Sequence, residues 1–367
     1  MAGNGQEGRF AVLRYAGAFI AFMVGSGFAT GQEVMQYYVA FGYGGFAAAL
    51  LAFALLACAG VRIVAAAHRE RFAPGEVYAY YCGHALGRFF DYFSTLAVYL
   101  SFVVILAGAG AILEQQCGLP RALGVLAGAA LSCLTVLGGF GRMVRVIGRA
   151  GPAVIAMVLL VGAGGLIGAT GGVAAAAQAA PAMDLLRAAD HWPLSAVSYA
   201  GISMIWLTGF LSQMGATAPS QTAVRRGVLL GMAVFFAAVA LVTAALLANL
   251  DAVRGAQAPM LALARRLHPA VAALFTAAIC TGIYTASVPL LWSVTARVAP
   301  EGSGRGRFAA PLAAALAAAA ALALPFDRLV NVVYVLCGYI GFFLCLAVLW
   351  RDAAALLRRR RARRCAH

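Results

Sequence analysis

The sequence predicts an all-α, polytopic membrane protein, because of its composition, its long apolar stretches and the distribution of its arginines. Hydrophobic residues make up 63% of the 367 positions and charged residues 11%, and the mean hydropathy is +0.89. A soluble domain carries roughly a quarter charged residues. The composition therefore argues against a water-soluble fold and indicates that lipid surrounds most of the chain.

The apolar stretches are long enough to cross a membrane many times. A helix that spans the hydrocarbon layer needs about 20 mostly apolar residues. We expect one transmembrane domain over 1–350, with halves at about 10–170 and 192–350, followed by a basic cytoplasmic tail at 351–367. The ten predicted spans lie near 10–40, 43–66, 89–114, 122–140, 150–170, 192–215, 227–249, 270–297, 308–324 and 329–350.

The arginines predict the orientation. The chain has no lysine, and with both termini in the cytoplasm all but six of its 27 basic residues lie on that side. Basic residues concentrate on the cytoplasmic side of membrane proteins, so the sequence predicts a multi-pass protein of the bacterial inner membrane. Nucleic-acid binding is not expected despite the net charge of +15, because the arginines lie between apolar stretches. The six outside are Arg121, Arg187, Arg254, Arg265, Arg266 and Arg328.

The two halves share a plan. Each has a short amphipathic segment after its second span, at 74–81 and at 259–266. Five spans per half give the halves opposite orientations, and matching interruptions in such halves are typical of an inverted-repeat transporter. Ordinary helical loops are the alternative explanation.

The first span carries the most specific functional signal. Gly25, Gly27 and Gly31 fall within seven residues, and each weakens a helix by roughly 1 kcal/mol relative to alanine. Lipid tolerates broken backbone only where it lines a cavity, so we expect the helix to open around Ser26. Freed N–H groups would then suit a substrate carboxylate. Close helix packing by small residues is the alternative.

The sixth span is the partner expected from the symmetry of the two halves. Small and hydroxylic residues surround Tyr199 between Ser195 and Ser203, and a break near Tyr199 to Gly201 would mirror the first span. Serine in a membrane helix more often bonds to its own backbone, so both interpretations stay open.

Other oxygen groups are expected at the same depth. Tyr99 and Ser101 lie midway along the third span, where a phenol can reach a carboxylate. Oxygens for a hard cation such as sodium are predicted from the first and eighth spans, namely the carbonyls of Ala21 and Val24 and the hydroxyls of Thr281, Thr285 and Ser287.

Glu33 is the acidic residue of greatest interest. A carboxylate in or near the hydrocarbon is costly and usually has a function. It could be a proton site, a gate partner or a residue at the extracellular mouth. Asp91 and Glu114 lie at the ends of the third span, where a position at the membrane interface is expected.

No covalent chemistry is expected. The five histidines lie in loops or at span ends, and the eight cysteines form no CxxC pair. The sequence therefore predicts no enzyme, no zinc site and no cofactor, apart from Na⁺ as a coupling ion. A channel, a structural or sensory membrane protein and an intramembrane enzyme are the alternatives to a transporter.

The segment Val24–Glu33 resembles the first-helix signature of the YkvI-like membrane proteins, a group related to the amino acid–polyamine–organocation transporters. The resemblance extends over nearly the whole chain through the number of spans and the loop plan. It implies a LeuT-type five-plus-five inverted repeat with breaks in helices 1 and 6, and a substrate held between helices 1, 3, 6 and 8.

By position, the resemblance also implies roles for single residues. The substrate carboxylate would meet the first-helix segment, the amino end would meet the sixth helix, and Tyr99 would contribute from the third. The sequence departs from sodium-coupled relatives in having Thr285-Ala286-Ser287 instead of two adjacent hydroxyl residues. The fifth span also lacks the lysine of proton-coupled relatives. The implied substrate-binding residues are Gly25, Ser26, Gly27, Phe28, Tyr99, Ser198, Tyr199, Ala200 and Gly201.

The sequence thus predicts a secondary active transporter, coupled to Na⁺ or H⁺ as a symporter. Its expected substrate is an amino acid or a similar small zwitterion, and its expected mechanism is alternating access.

Overall fold

The structure is a computed structural model that describes residues 2–73, 75–138, 151–169, 171–298 and 304–364. Every regular element in these ranges is helical and none is a strand, which confirms the predicted all-α class. Pro74, Arg142, Arg145, Arg149 and the last three residues of the predicted tail lie outside the described residues, as does the side chain of Ser26.

The first half begins with a broken helix. Its elements are α1 (Ala2–Met23), α2 (Ser26–Thr30), α3 (Gln32–Tyr37), a 3₁₀ turn (Val39–Phe41), α4 (Tyr43–Glu70), α5 (Glu76–Cys117), α6 (Arg121–Leu137), α7 (Gly151–Ile167), α8 (Val173–Ala179) and a second 3₁₀ turn (Ala180–Ala182).

The second half contains five long helices and several short ones. Its elements are α9 (Trp192–Thr217), α10 (Gln221–Ala248), α11 (Leu250–Val253), α12 (Pro259–Leu267), α13 (Pro269–Val298), α14 (Gly304–Ala323), α15 (Phe326–Leu329), a π-helical turn (Val330–Tyr334) and α16 (Val335–Arg364).

Many of these helices fit a membrane by length and composition. Six stretches of the described chain are long and apolar enough to cross it, namely α4, α5, α9, α10, α13 and Phe326–Arg351. Arg121–Leu137, Val154–Ile167 and Phe308–Ala323 are shorter apolar helices. Each predicted span overlaps one of these helices or the α1–α3 segment.

Both predicted short segments are helical. The start of α5 is separated from the rest of that helix by Gly83, whose positive φ of 75° interrupts the helical backbone. α12 is a separate helix of nine residues between α10 and α13. The amphipathic pattern therefore located two interruptions at corresponding places in the two halves.

The helices pack in two groups. α1, α4, α9 and α10 form one group, and α5, α6, α13 and α14 form the other. Within the first group, α1 packs on α10 and α4 packs on α9, so the first helix of each half pairs with the second helix of the other half. α16 packs against α9.

Arg71 ties the end of α4 to the end of α9. It is the non-glycine residue with a positive φ in the described chain, at 53°, a conformation that costs energy for a residue with a Cβ atom. Its guanidinium donates hydrogen bonds to the carbonyl oxygens of Ala216 and Ala218. These bonds offset the cost and hold the two helix ends together.

Candidate functional site

The first span is broken at Val24 and Gly25, as the sequence predicts. α1 ends at Met23, and Gly25 has extended backbone angles of φ −93° and ψ −176°. The Gly25 amide donates to the Met23 oxygen at 3.0 Å, so the Ala21 carbonyl loses the donor that a continuous helix would provide. The break therefore leaves the Ala21 oxygen without its helical donor.

A second bend follows at Gly31 and brings Glu33 back toward Gly27. Gly31 has a left-handed φ of 81°, and a Cβ atom there would lie 2.7 Å from Met260 Cγ. A Cβ atom on Gly27 would lie 2.4 Å from Glu33 Oε2. Gly27 therefore provides the space that the Glu33 carboxyl group occupies.

Glu33 is buried, with 5% of its surface exposed. The ion pairs formed by the described residues do not include it, and Tyr199 of α9 is the polar side chain that adjoins it. An unpaired charge inside a membrane protein is costly. The position therefore calls for a proton or another cation on this carboxyl group.

Several buried polar atoms of the segment 32–38 and of α9 lack a hydrogen bond of good geometry to the described residues. The Tyr199 ring lies 5.3 Å from the ring of Tyr37 and 5.3 Å from that of Tyr38, measured between centroids. All three phenol oxygens are buried without a hydrogen bond of good geometry to the described residues, as are Gln32 Oε1 and Ser203 Oγ. Buried polar atoms are normally paired, so these atoms are available to a ligand, a water molecule or a proton.

The predicted break in the sixth span is wrong, because α9 is continuous from Trp192 to Thr217. Ser198 Oγ donates to the Val335 oxygen at 3.4 Å, and a Cβ atom on Gly201 would lie 1.8 Å from the Gly338 oxygen. Small residues at these positions let α16 approach α9 closely. The hydroxyl of Ser198 and the Cβ position of Gly201 therefore face α16, while Ala200 is fully buried in the core.

Phe28 and Tyr99, two further predicted substrate residues, contact other helices. Phe28 is fully buried and packs on Phe235 of α10, with 4.9 Å between ring centroids. The Tyr99 hydroxyl donates to the Ala313 oxygen of α14 at 3.0 Å. Tyr99 is thus engaged on the side of α5 that faces α14.

We expect Tyr99→Phe to leave solute binding unchanged and to cost about 1 kcal/mol of stability, the usual net value of one hydrogen bond. The measurement is thermal unfolding of the purified variant with and without a stabilising solute. Loss of the solute-dependent shift would return Tyr99 to the binding site.

The predicted sodium ligands on α13 bond locally. Thr281 is exposed and donates to Ala277 O at 2.7 Å, and Thr285 donates to Gly282 O at 3.0 Å. Both hydroxyl oxygens keep lone pairs for a cation, and α13 contacts α2. Ser287 faces α6, where it hydrogen bonds to Ser132 at 2.7 Å. A sodium site made by Ala21, Val24, Thr281 and Thr285 stays a prediction.

The buried side-chain amide of Gln36 links the end of α3 to other segments, and this contact was not predicted from the sequence. Gln36 Nε2 donates to Asp327 O at 2.8 Å, and Gln36 Oε1 accepts from Asn331 Nδ2 at 3.1 Å. The Gln36 backbone oxygen accepts from Ala188 N at 3.1 Å, and Asn331 also donates to Arg187 O at 2.6 Å. α3, the 183–191 loop and the π-helical turn therefore meet at one side chain.

Ser101, which the sequence singled out, belongs to a second link. Its hydroxyl accepts from Trp206 Nε1 at 2.9 Å, and the Trp206 ring lies 5.0 Å from the buried Tyr334 ring. α5, α9 and the π-helical turn are joined there. The π-helical turn thus contributes to both links, and such turns often occur at functional sites.

Near the C-terminal end of α9, a cleft of about 210 Å³ opens between α5, α9 and α13. Asp91 and Arg297 form an ion pair in its wall, with 2.9 Å between Oδ2 and Nη1. Asp91, which the sequence predicts at the membrane interface, thus has Arg297 as its partner. The lining residues are Gly75, Val77, Tyr78, Asp91, Gly209, Ser212, Gln213 and Arg297.

The fold is similar to that of known transporters. A crystal structure of the manganese transporter of Eremococcus coleocola, in complex with an aromatic bis-isothiourea substituted compound, gives a TM-score of 0.55 at 15% identity, over 92% of this chain and 76% of that one. A Na⁺-coupled sialic acid symporter in a substrate-bound, outward-open state also gives 0.55, at 14% identity, over 94% of this chain and 75% of that one. At such identities the likeness establishes the fold.

A curated protein is also similar in sequence. The uncharacterized membrane protein YkvI of Bacillus subtilis (strain 168) is 24% identical over 231 residues. The match covers 62% of this chain and 63% of the length of that protein. No family model matches the sequence. Together with the apolar helices, the similarity identifies the chain as a multi-pass membrane protein with a transporter fold.

Proposed function

We propose that this chain is a secondary active transporter that carries an amino acid or a similar small zwitterion across the bacterial inner membrane. Transport is a symport driven by a gradient of Na⁺ or H⁺ and proceeds by alternating access. Both termini lie in the cytoplasm. The ten spans form a LeuT-type inverted repeat in which the first helix is broken and the sixth is continuous.

The packing of the helices supports this proposal. α1 pairs with α10 and α4 pairs with α9, as two inverted halves require. The second group, with α5 and α13, is the frame against which the first group moves. The similarity to ion-driven carriers such as the sialic acid symporter agrees with this arrangement.

One observation carries the proposal: the interruption of the first span at Gly25, beside a buried carboxyl group and unpaired polar atoms. A membrane helix opens where its backbone lines a cavity or meets a ligand. We place the substrate carboxylate at Gly25, Ser26 and Gly27, with Tyr199 as the contact from α9. The coupling sodium, if sodium is used, takes the oxygens of Ala21, Val24, Thr281 and Thr285.

Purified protein in liposomes should take up at least one amino acid from a radiolabelled mixture when an inward Na⁺ or H⁺ gradient is imposed. Uptake should saturate with solute concentration and collapse when an ionophore dissipates the gradient. A carrier requires this behaviour, whereas a channel conducts without saturating.

A binding measurement complements uptake. A solute that binds the folded state must raise the unfolding temperature, so a metabolite panel with and without sodium identifies the ligand. Absence of both uptake and stabilisation across the panel would remove the transport proposal and leave the fold assignment in place.

A further inference from the structure

Glu33 has neutral polar neighbours. Tyr199 adjoins it from α9, and Tyr38 and Tyr37 follow it in its own segment. Tyr334 of the π-helical turn is close enough to interact with it electrostatically. From α16, Cys337 approaches Tyr37. In the described chain, these are the titratable groups that interact electrostatically with Glu33 or, in the case of Cys337 and also Tyr339, with its neighbour Tyr37.

The arginines at the same end of the protein are engaged elsewhere. Arg187 donates to carbonyl oxygens of its own loop. Arg265 donates to Gln116 Oε1 at 2.8 Å, and Arg266 donates to Asn249 Oδ1 at 3.4 Å. The ion pairs of the described residues also leave Glu33 without an arginine partner, so a cation that balances the carboxylate is expected to come from outside the described chain.

Two tyrosine hydroxyls form a spatial series that begins at Glu33. The Tyr199 phenol adjoins Glu33, and the Tyr38 phenol adjoins that of Tyr199. Neither phenol oxygen has a hydrogen bond of good geometry to the described residues. Tyr38 precedes the 3₁₀ turn that leads to the predicted outer end of the first span. Hydroxyl groups in such a series can pass a proton by rotating, because each is both donor and acceptor.

Close packing of the rings favours a proton over a metal ion. The Tyr199 ring makes edge contacts at 5.3 Å with both neighbouring tyrosine rings, and all three side chains are at most 1% exposed. A metal ion needs a cavity ringed by several oxygens, whereas a proton occupies a lone pair that is already present. The same packing keeps water from stabilising a charged carboxylate.

We propose that Glu33 is the binding site of the coupling proton, and that the hydroxyls of Tyr199 and Tyr38 deliver this proton from the outer side. One proton joins the carboxylate, whose charge changes from −1 to 0, and the same proton leaves when the site opens to the cytoplasm. The neutral acid donates one hydrogen bond to a neighbouring phenol. The inference rests on the proposed transport function, and it specifies the coupling ion.

Infrared difference spectroscopy tests the proton site without any solute. We expect the full-length protein in liposomes to gain the carbonyl band of a protonated acid as the pH falls. Glu33→Gln should remove this band, and Glu114→Gln, which changes an exposed carboxyl group at the end of α5, should retain it. A band that survives in Glu33→Gln would overturn the proposal. So would a Glu33-dependent band that disappears on adding sodium chloride at constant pH, because sodium would then be the bound ion.

Transport of the radiolabelled amino acid mixture tests the coupling. Glu33→Gln should exchange solute across the membrane yet fail to accumulate it under a proton gradient. Tyr199→Phe should slow proton-driven uptake on the order of a hundredfold, the lower end of the range for a lost proton-transfer group. Tyr99→Phe is the matched control and should behave as the unmodified protein.

The outcomes are separable. Proton-driven accumulation by Glu33→Gln would overturn the proton site while supporting transport. An infrared band without uptake of any solute would support the proton site and contradict the proposed transport of amino acids.

Discussion

Gly27→Ala is expected to abolish solute uptake, while Gly25→Ala, which leaves Glu33 in place, is expected to lower it less. The Cβ atom of an alanine at position 27 would lie 2.4 Å from Glu33 Oε2 and 3.3 Å from Glu33 Cβ. The carboxyl group would have to leave its place beside the break. At Gly25 nothing lies within 4 Å of the added atom, and the backbone angles there are open to any residue.

The two variants form a matched pair, because the same methyl group is added two positions apart. The measurement is initial uptake in liposomes, corrected for the amount of folded protein, together with the unfolding temperature. We expect folding to be retained in both, since a local adjustment of one side chain costs about 1–3 kcal/mol. Equal uptake by the two variants would show that transport does not depend on the position of the Glu33 carboxyl group.

Gly201→Ala is expected to prevent stable assembly of α9 with α16. The added Cβ atom would lie 1.8 Å from the Gly338 oxygen and 2.6 Å from the Phe342 nitrogen. These are backbone atoms, which cannot rotate away as a side chain can. Overpacking a core commonly costs about 1–3 kcal/mol of stability. Because this Cβ atom clashes with two main-chain atoms of α16, we expect the loss of stability to be at or above the top of that range.

Gly209→Ala on the same helix is the control, because the nearest atom to its added Cβ is the Tyr78 hydroxyl at 3.9 Å. Thermal unfolding in detergent and the yield of monodisperse protein distinguish the two. If Gly201→Ala unfolds at the temperature of the control, the helices do not approach as closely as described.

The positions of the apolar helices were predictable from the sequence because the hydrocarbon layer imposes a length and a polarity on each helix. The short segments before Gly83 and at α12 were predictable for a related reason, since their amphipathic pattern suits the interface. The break at Gly25 followed from three glycines close together. Each of these features depends on residues that are neighbours in the chain.

The state of the sixth span was not predictable in this way. Glycine and serine weaken a helix and also allow a second helix to approach. At Gly25 the first effect dominates, whereas at Gly201 the second does, because Gly338 and Gly341 lie opposite. That partner helix is remote in sequence, so the local pattern could not distinguish the two outcomes.

The site itself was predictable in part. Glu33 and Tyr199 were both selected from the sequence, but their contact depends on the bend at Gly31 and on the face that an unbroken α9 presents. Tyr37 and Tyr38 follow Glu33 within one and a half helical turns, and this spacing was the available signal for them. Asn331 gave no comparable signal, because its significance arises from the π-helical turn.

Gln36 has a consequence for how the outer end of the protein opens. Its backbone oxygen and both polar atoms of its side chain are committed to separate segments. An outward displacement of α3 strains all three of these bonds together. Intermediate positions therefore combine the loss of all three bonds with little gain of hydration. We therefore expect the opening of this end to be cooperative rather than gradual.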